Sequence, residues 1–316
     1  MTSYHHRLRA IPVERARRKR IAVRRRTLLL YAVLLPTIVI IGLFAYYPAL
    51  TGIFFSFFDW RPGFTSEFLG LENYERMLAD RTWWASFANL GLIFVFGIFT
   101  WVIPFIAAEL VISLSRERLK FVFRTLLIAP IAFPQMVTLL VWGFFYDPAN
   151  GVINSFLRGV GLPDLAHSWL GDPSTALWAL MFIGFPWIAG LPFLVFLTAL
   201  QNIPREIFDA AAIDGTGRLR RVFTIDLPMM SNQIALLGFL AVIATLQYGM
   251  AAYVLTGGGP DNATQVPILR MLSAAFNGSD WGYAAALSTT LFVVTLIFGA
   301  VIVGGRSLGR GFRVKA

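Results

Sequence analysis

The sequence predicts an all-α membrane protein, and three observations support this fold class. Of the 316 residues, 57% are hydrophobic and only 14% are charged, whereas soluble domains carry roughly a quarter charged residues. The chain contains six apolar stretches that are long enough to cross a bilayer, and its positive charges concentrate in alternate segments between them. These features exclude a disordered chain, a coiled coil and an ordinary soluble domain.

The six apolar stretches define the predicted transmembrane helices. A helix that crosses the hydrocarbon core needs roughly 20 apolar residues, because each residue advances the helix by about 1.5 Å. The stretches that satisfy this requirement are residues 27–50, 87–112, 125–146, 176–200, 233–256 and 283–304. The sequence therefore predicts a transmembrane domain over residues 27–305, flanked by a basic tail (1–26) and a second short tail (306–316).

The distribution of Lys and Arg predicts the orientation of these helices. The segments 1–26, 113–124, 201–232 and 305–316 carry 22 of the 27 basic residues, and the intervening segments carry the other 5. Cytoplasmic segments of membrane proteins are enriched in Lys and Arg, so both termini and residues 201–232 are expected in the cytoplasm. This asymmetry accounts for the net charge of +10 without a nucleic-acid partner.

The reactive residue types argue against an enzyme and against a metal site. The chain has no cysteine, and two of its three histidines, His5 and His6, lie in the basic tail. Within the predicted spans the only charged residue is Glu109, which is expected to reach the membrane interface or to pair with Arg116. Secondary carriers and ion channels usually bury charged residues in their spans. The lack of charged residues other than Glu109 in these spans counts against this class of protein.

The most informative segment is the polar loop at residues 201–232. Pro204 suits the first turn of a helix, and Asp214 and Gly215 are typical of a helix end. Gly215 is expected to adopt a positive φ angle. A second short helix, capped by Thr216, is predicted to follow it. The loop is thus predicted to fold as a helix, a glycine turn and a helix on the cytoplasmic face.

The same loop resembles the EAA loop of the permease subunits of ATP-binding-cassette importers. The family pattern is E-A-A, three residues, G, nine residues and I-x-L-P. This chain matches it without a gap through Asp209, Ala210, Ala211, Asp214, Gly215, Ile225, Leu227 and Pro228. Asp209 stands where the family has glutamate, which keeps the charge but shortens the side chain by one methylene.

The resemblance implies that the loop docks on an ATPase subunit. The chain has no G-x-x-x-x-G-K-[ST] motif with which it could bind ATP itself. ATP and Mg²⁺ are therefore expected in partner subunits, and no cofactor, metal or catalytic residue is expected in this chain. The small residues Ala210, Ala211 and Ala212 would let the helix sit in a groove of the partner, with Ile207 and Phe208 as apolar anchors.

A second motif narrows the resemblance to carbohydrate permeases. Residues 253–260, YVLTGGGP, are similar to the Y-x-L-T-x-G-G-P signature of permeases of the maltose-importer type, and residues 274–292 are similar to the start of that subfamily's last helix. The resemblance implies a second permease subunit, two ATPase subunits, an external solute-binding protein and a sugar or glycoside substrate. The implied location is the cytoplasmic membrane of a bacterium or an archaeon. A phosphorylated glycerol or a polyol is the alternative substrate.

Polar and aromatic residues within the spans are the candidates for the substrate path. A sugar needs hydrogen-bonding groups and aromatic faces from helices that can move. The candidates are Thr245, Gln247 and Tyr248 in the fifth span, Trp187 in the fourth and Gln135 in the third. By the resemblance, Thr245 and Trp187 occupy cavity-lining positions. The alternative for each residue is a structural role in packing between helices.

Overall fold

The computed structural model describes residue 27, residues 29–188 and residues 190–313, with side chains described as far as residue 302. The basic tail predicted over residues 1–26 lies outside the described residues. The chain divides into two units, residues 1–55 and residues 56–316. The first unit contains one long apolar helix, α1 (Leu29–Phe55), which includes a π-helical turn at Gly42–Tyr46.

The second unit is built mostly from helices, as the sequence predicts. Its β structure is a short antiparallel pair, β1 (Phe58–Asp59) with β2 (Glu67–Phe68). The helices are α2 (Glu72–Ala79), α3 (Arg81–Thr100), α4 (Val102–Ser113), α5 (Glu117–Ile128), α6 (Gln135–Phe145), α7 (Val152–Gly159), α8 (Ala176–Phe182), α9 (Leu191–Gln201), α10 (Arg205–Ile213), α11 (Arg218–Arg221), α12 (Leu227–Met229), α13 (Ser231–Leu246), α14 (Met250–Leu255), α15 (Pro267–Leu272) and α16 (Trp281–Arg313). Shorter 3-10 turns (Ala129–Ala132, Pro163–Leu165) and π turns (Val222–Asp226, Ser273–Asn277) join some of them.

Four helical stretches among the described residues are long and apolar enough to cross a membrane as continuous helices. They are Leu29–Phe55, Arg81–Ser113, Ser231–Leu255 and Trp281–Ile302, and they coincide with the first, second, fifth and sixth predicted spans. The last helix continues to Arg313, so the boundary predicted at residue 305 falls inside a helix.

The third predicted span, residues 125–146, is sharply bent. The segments Glu117–Ala132 and Gln135–Phe145 meet at 90°. Pro134 lies between them and lacks the N–H that a continuous helix needs, and Phe133 before it has the extended backbone that a following proline favours. The proline therefore explains why a single apolar stretch becomes two helices.

The fourth predicted span, residues 176–200, is divided between α8 and α9. The break contains Gly184 at φ +82° and Trp187 at φ +52°, and Gly190 precedes α9 at φ +119°. Positive φ angles are incompatible with a right-handed helix, so the chain leaves helical geometry between Phe182 and Leu191. Within the described ranges, the continuous spans and the bent pair account for up to five crossings by length and composition.

Two hydrophobic clusters hold the second unit together. The Trp83 cluster contains buried residues of α3, α6, α13 and the C-terminal helices, including Trp83, Leu90, Leu139, Leu246, Val266, Leu269, Tyr283 and Leu287. The Phe193 cluster joins α4 and α9 to the start of α13 through Ala108, Val111, Phe193, Phe196, Leu197, Leu200, Met230 and Leu237. The Phe193 cluster supports the polar loop that the sequence singles out.

Asp80 fixes the beginning of α3 to the C-terminal helices. Its carboxylate accepts hydrogen bonds from Trp83 N at 3.1 Å, Arg270 Nε at 2.7 Å and the Tyr283 hydroxyl at 2.7 Å. Burial by itself raises the pKa of Asp80, but these hydrogen bonds outweigh it and hold the pKa below its ordinary value. The carboxylate therefore stabilises the fold at neutral pH, and this stabilisation is lost only as the pH falls through the lowered pKa.

Candidate functional site

The polar loop begins with α10, whose end is defined by a glycine turn. Gly215 has φ +66°, which confirms the positive angle expected from the sequence. The N–H of Gly215 donates to the Ala212 carbonyl at 3.1 Å, and the N–H of Thr216 donates to the Ala211 carbonyl at 2.9 Å. These two bonds form a Schellman motif, in which a left-handed residue closes the helix. The turn sets the direction in which the chain leaves α10.

The inward face of α10 packs against the protein itself. Ala211 is buried, and Ile207 and Phe208 pack against the Phe193 cluster. Both side chains are half-buried, so part of each contacts its own chain, and their role as anchors on a partner stays a prediction. More apolar surface is exposed close by, since Ile213 is 87% exposed and Leu219 is 77% exposed.

The remaining motif residues divide between the surface and the core. Asp209, Ala210, Asp214, Gly215 and Pro228 are exposed on the described unit, and Ile225 and Leu227 are half-buried. Leu227 packs against the Phe193 cluster. The second helix of the loop, α11, starts after Gly217 rather than after Thr216, so the predicted cap was one residue too early.

Arg221 at the end of α11 ties the loop to α4. Its Nη2 donates to Glu109 Oε2 at 2.6 Å, and its Nε donates to Asp226 Oδ2 at 2.9 Å. The guanidinium also lies 4.9 Å from the centre of the Phe208 ring on α10, within the range of a cation–π contact. One side chain thus connects α4, α10 and the π turn before α12.

The sequence offered two alternatives for Glu109, and one of them, a pair with Arg116, is not formed. Glu109 pairs with Arg221, which is 112 residues away in sequence, and helical spacing alone could not reveal such a distant partner. Asp226 is completely buried, and the sequence analysis did not single it out. Asp226 occupies the variable position x of the I-x-L-P segment. An acidic residue between two apolar neighbours was the signal by which the sequence could have indicated a buried charge.

The resulting cluster is electrostatically unbalanced, with two carboxyl groups around one guanidinium. In the part of the chain that the structure describes, Glu109 Oε1 and Asp226 Oδ1 are both buried without a hydrogen-bond partner. Such groups are costly to bury unless each is paired. Arg221 is therefore the group whose loss would leave both carboxyl groups uncompensated.

In the part of the chain that the structure describes, the five substrate-path candidates have different surroundings. Thr245 lines a cavity of about 210 Å³ between α3, α13 and α16, with Phe87, Phe94, Val242 and Val294 among its neighbours and none of the other candidates. Tyr248 packs against the Trp83 cluster. Gln247 and Gln135 are exposed at the end of α13 and the start of α6.

Trp187 belongs to a group of aromatic rings at the break between α8 and α9. Its ring lies 5.4 Å from Phe96, 5.2 Å from Phe182 and 5.1 Å from Phe185, measured between ring centres. Its indole N–H donates to the Ile183 carbonyl at 3.2 Å. The polar end of Trp187 is thus occupied within the break, and its ring face contributes to an aromatic surface.

The YVLTGGGP motif covers the end of α14 and the turn that follows it. Gly257 and Gly258 have φ angles of +59° and +92°, and a Cβ atom on Gly258 would lie 2.1 Å from Gln265 Oε1. Thr264 donates to the Gly259 carbonyl at 2.8 Å. These glycines are therefore required by the local backbone and by close packing.

Comparison with known proteins agrees with this architecture. Residues 101–306 match the family model of the binding-protein-dependent transport system inner membrane component. The chain is 33% identical over 274 residues to the probable ABC transporter permease protein YurN of Bacillus subtilis, covering 84% of this chain and 91% of that protein. It is 33% identical over 296 residues to the sn-glycerol-3-phosphate transport system permease protein UgpA of Yersinia pestis, covering 90% and 95%. It is 29% identical over 300 residues to the diacetylchitobiose uptake system permease protein NgcF of Streptomyces coelicolor, covering 91% and 84%.

The fold is also similar to that of a solved transporter. A chain of the bacterial alginate ABC transporter, in complex with its alginate pentasaccharide-bound periplasmic protein, superposes with a TM-score of 0.76 at 21% identity. The match covers 88% of this chain and 93% of that one. Because the family model spans most of the helical unit and the relatives align over nearly their whole length, this chain belongs to the family of binding-protein-dependent transport system inner membrane components, the permease subunits of ABC transporters.

Proposed function

We propose that this chain is one of two membrane-spanning subunits of an ATP-driven importer, and that α10 is the helix that docks on an ATPase subunit. The observation that carries the proposal is the geometry of residues 205–229 in a chain of this family. A short helix presents exposed Asp209 and Ala210, and a glycine turn fixes its direction. Exposed Ile213 and Leu219 lie at its end and beyond the turn.

The Arg221 contacts supply a path by which a movement of α10 reaches the membrane helices. Phe208 and Glu109 both contact the guanidinium, so a shift of α10 acts on α4 through the Arg221 side chain. Permease subunits of this family are not enzymes, and ATP is hydrolysed by partner ATPases. A mechanical link of this kind is what such a subunit requires.

For the substrate we favour a sugar or glycoside that a solute-binding protein delivers from outside. The relative NgcF belongs to a diacetylchitobiose uptake system, and the similar alginate transporter is solved with a pentasaccharide-bound periplasmic protein. Glycerol 3-phosphate is the second candidate, because UgpA is a permease for it and is 33% identical to this chain. The six predicted spans contain no Lys or Arg, so none of them offers a cation to the phosphate of this second candidate.

Affinity purification of the tagged chain from its own membranes tests the assembly. We expect an ATPase and a second permease to co-purify with it, and we expect ATP hydrolysis by the purified complex to respond to a loaded solute-binding protein. A chain that purifies without an ATPase, yet transports substrate in proteoliposomes, would contradict the proposal.

We predict that both termini and the polar loop lie in the cytoplasm, with six crossings. The chain has no native cysteine, so Ser155→Cys and Ser115→Cys form a matched pair of exposed sites on opposite predicted sides. In intact cells, an impermeant thiol reagent should label the variant at Ser155 and should label the variant at Ser115 only after lysis. Labelling of Ser115→Cys in sealed cells would overturn the orientation.

We also predict that Thr245→Val weakens transport by removing a hydroxyl from the cavity that it lines. The loss of one hydrogen bond to substrate should raise the apparent KM roughly two- to tenfold. Thr290→Val is the matched control, because the Thr290 hydroxyl donates to the Ala286 carbonyl within its own helix at 3.0 Å. Uptake kinetics that are unchanged in both variants would assign Thr245 to helix packing instead.

A further inference from the structure

A cationic cavity lies beside the start of α10 and has no role in the proposed function. It has a volume of about 380 Å³ and lies between α5, the end of α9 and the start of α10. Lys120, Arg124 and Arg205 line it together with a single carboxylate, Glu117. The site therefore carries more positive than negative charge.

The single carboxylate is already paired, and 80% of the Glu117 side chain is exposed to solvent. Lys120 Nζ donates to Glu117 Oε1 at 2.7 Å, and only 21% of the Lys120 side chain is exposed. Glu117 also lies within electrostatic range of Arg205 and Arg124, so the three cations converge on one carboxylate. One negative charge is insufficient to balance them.

Arg124 carries a donor that the protein does not satisfy. Among the described residues, its Nε is buried and has no hydrogen-bond partner. A buried charged donor without an acceptor is unfavourable, and a guanidinium binds phosphate and carboxylate oxygens through paired hydrogen bonds. The unsatisfied donor indicates that an anion completes the site.

The position of the cavity indicates where this anion comes from. Its other wall is apolar and includes Val111, Ile112, Leu200 and Ile203. α5 begins four residues after Ser113, where a membrane-spanning helical stretch ends. A site with a cationic half and an apolar half at the end of a span matches the headgroup and the first acyl carbons of a phospholipid.

We propose that this cavity binds the phosphate group of an anionic phospholipid and thereby fixes the start of α10 to α5. Arg124 and Lys120 hold the phosphate from α5, and Arg205, the first residue of α10, holds it from the other side. Because Phe208 also lines the cavity, the occupied site lies directly against the inward face of α10. The inference concerns lipid binding by this chain and does not depend on which substrate is transported.

The proposal is tested with the purified full-length chain in nanodiscs of phosphatidylcholine alone or of phosphatidylcholine and phosphatidylglycerol in equal parts. We expect phosphatidylglycerol to raise the melting temperature of the wild type. Titration of detergent-purified protein with phosphatidylglycerol should give an apparent Kd about tenfold higher in Arg124→Gln. Arg205→Gln should weaken binding in the same direction, and it provides a second variant if Arg124→Gln folds poorly.

Arg118→Gln is the matched control, because Arg118 is an exposed residue of α5 that does not line the cavity. Its affinity for phosphatidylglycerol should equal that of the wild type. Inorganic phosphate forms a separate arm: stabilisation by phosphate, lost in Arg124→Gln, with no stabilisation by phosphatidylglycerol would overturn the lipid proposal, because it assigns the site to a free anion. Equal losses in Arg118→Gln and Arg124→Gln would overturn the proposal, because they would indicate general attraction to a charged bilayer.

Discussion

Gly215→Val is expected to abolish most coupling between ATP hydrolysis and uptake while leaving the membrane helices folded. Gly215 lies at φ +66°, a conformation that a β-branched residue strongly disfavours. A Cβ atom on Gly215 would meet nothing within 4 Å, so the effect arises from the backbone alone. The strain is about 1–3 kcal/mol, which lowers the population of the native turn that directs α10 by roughly 5- to 150-fold.

Two variants in the same loop isolate this cause. Gly217→Val places the same side chain two residues later, where φ is −65° and a Cβ atom also meets nothing within 4 Å. Gly215→Asn, like Gly215→Val, adds a side chain at position 215, but asparagine tolerates a positive φ angle. Both should retain most of the uptake that Gly215→Val loses.

The measurement is uptake and substrate-stimulated ATP hydrolysis in the reconstituted complex, together with the amount of ATPase that co-purifies. A uniform loss in Gly215→Val and Gly217→Val would indicate that bulk on the loop matters rather than its backbone geometry. Full activity in Gly215→Val would remove the glycine turn from the coupling mechanism.

The parts of the structure that the sequence predicts well are those governed by local rules. The apolar stretches predict four continuous helices, and the D-G pair at Asp214 predicts the helix end and the φ angle of Gly215. The class of protein follows from the loop motif and from hydropathy. Each of these features depends on residues that are close together in sequence.

The features that the sequence misses depend on contacts between distant segments. Mean hydropathy predicts residues 125–146 and 176–200 as single spans. Pro134 and the glycines around Trp187 break the helices but hardly change the mean hydropathy of each stretch. The pairing of Glu109 with Arg221 joins positions 112 residues apart. The inward direction of Phe208 depends on the Phe193 cluster, which forms only when α4 and α9 pack together.

Arg221→Gln is expected to destabilise the protein and to reduce coupling together. Removing the guanidinium leaves Glu109 and the fully buried Asp226 without their shared partner. The loss of one partner from a buried ion pair typically costs about 3–5 kcal/mol, so the melting temperature of the complex should fall clearly. Arg220→Gln, one position earlier at an exposed site, should leave both stability and uptake unchanged.

A triple variant separates stability from transmission at this cluster. Arg221→Gln combined with Glu109→Gln and Asp226→Asn removes every charge, so no buried carboxylate remains uncompensated and stability should largely return. Uptake should stay low, because a glutamine side chain is shorter than arginine and lacks the guanidinium that contacts positions 109, 226 and 208 at once. Recovery of uptake with stability would mean that the cluster only holds the fold together. Recovery of stability alone would identify the cluster of Glu109, Arg221 and Asp226 as the link through which α10 moves α4.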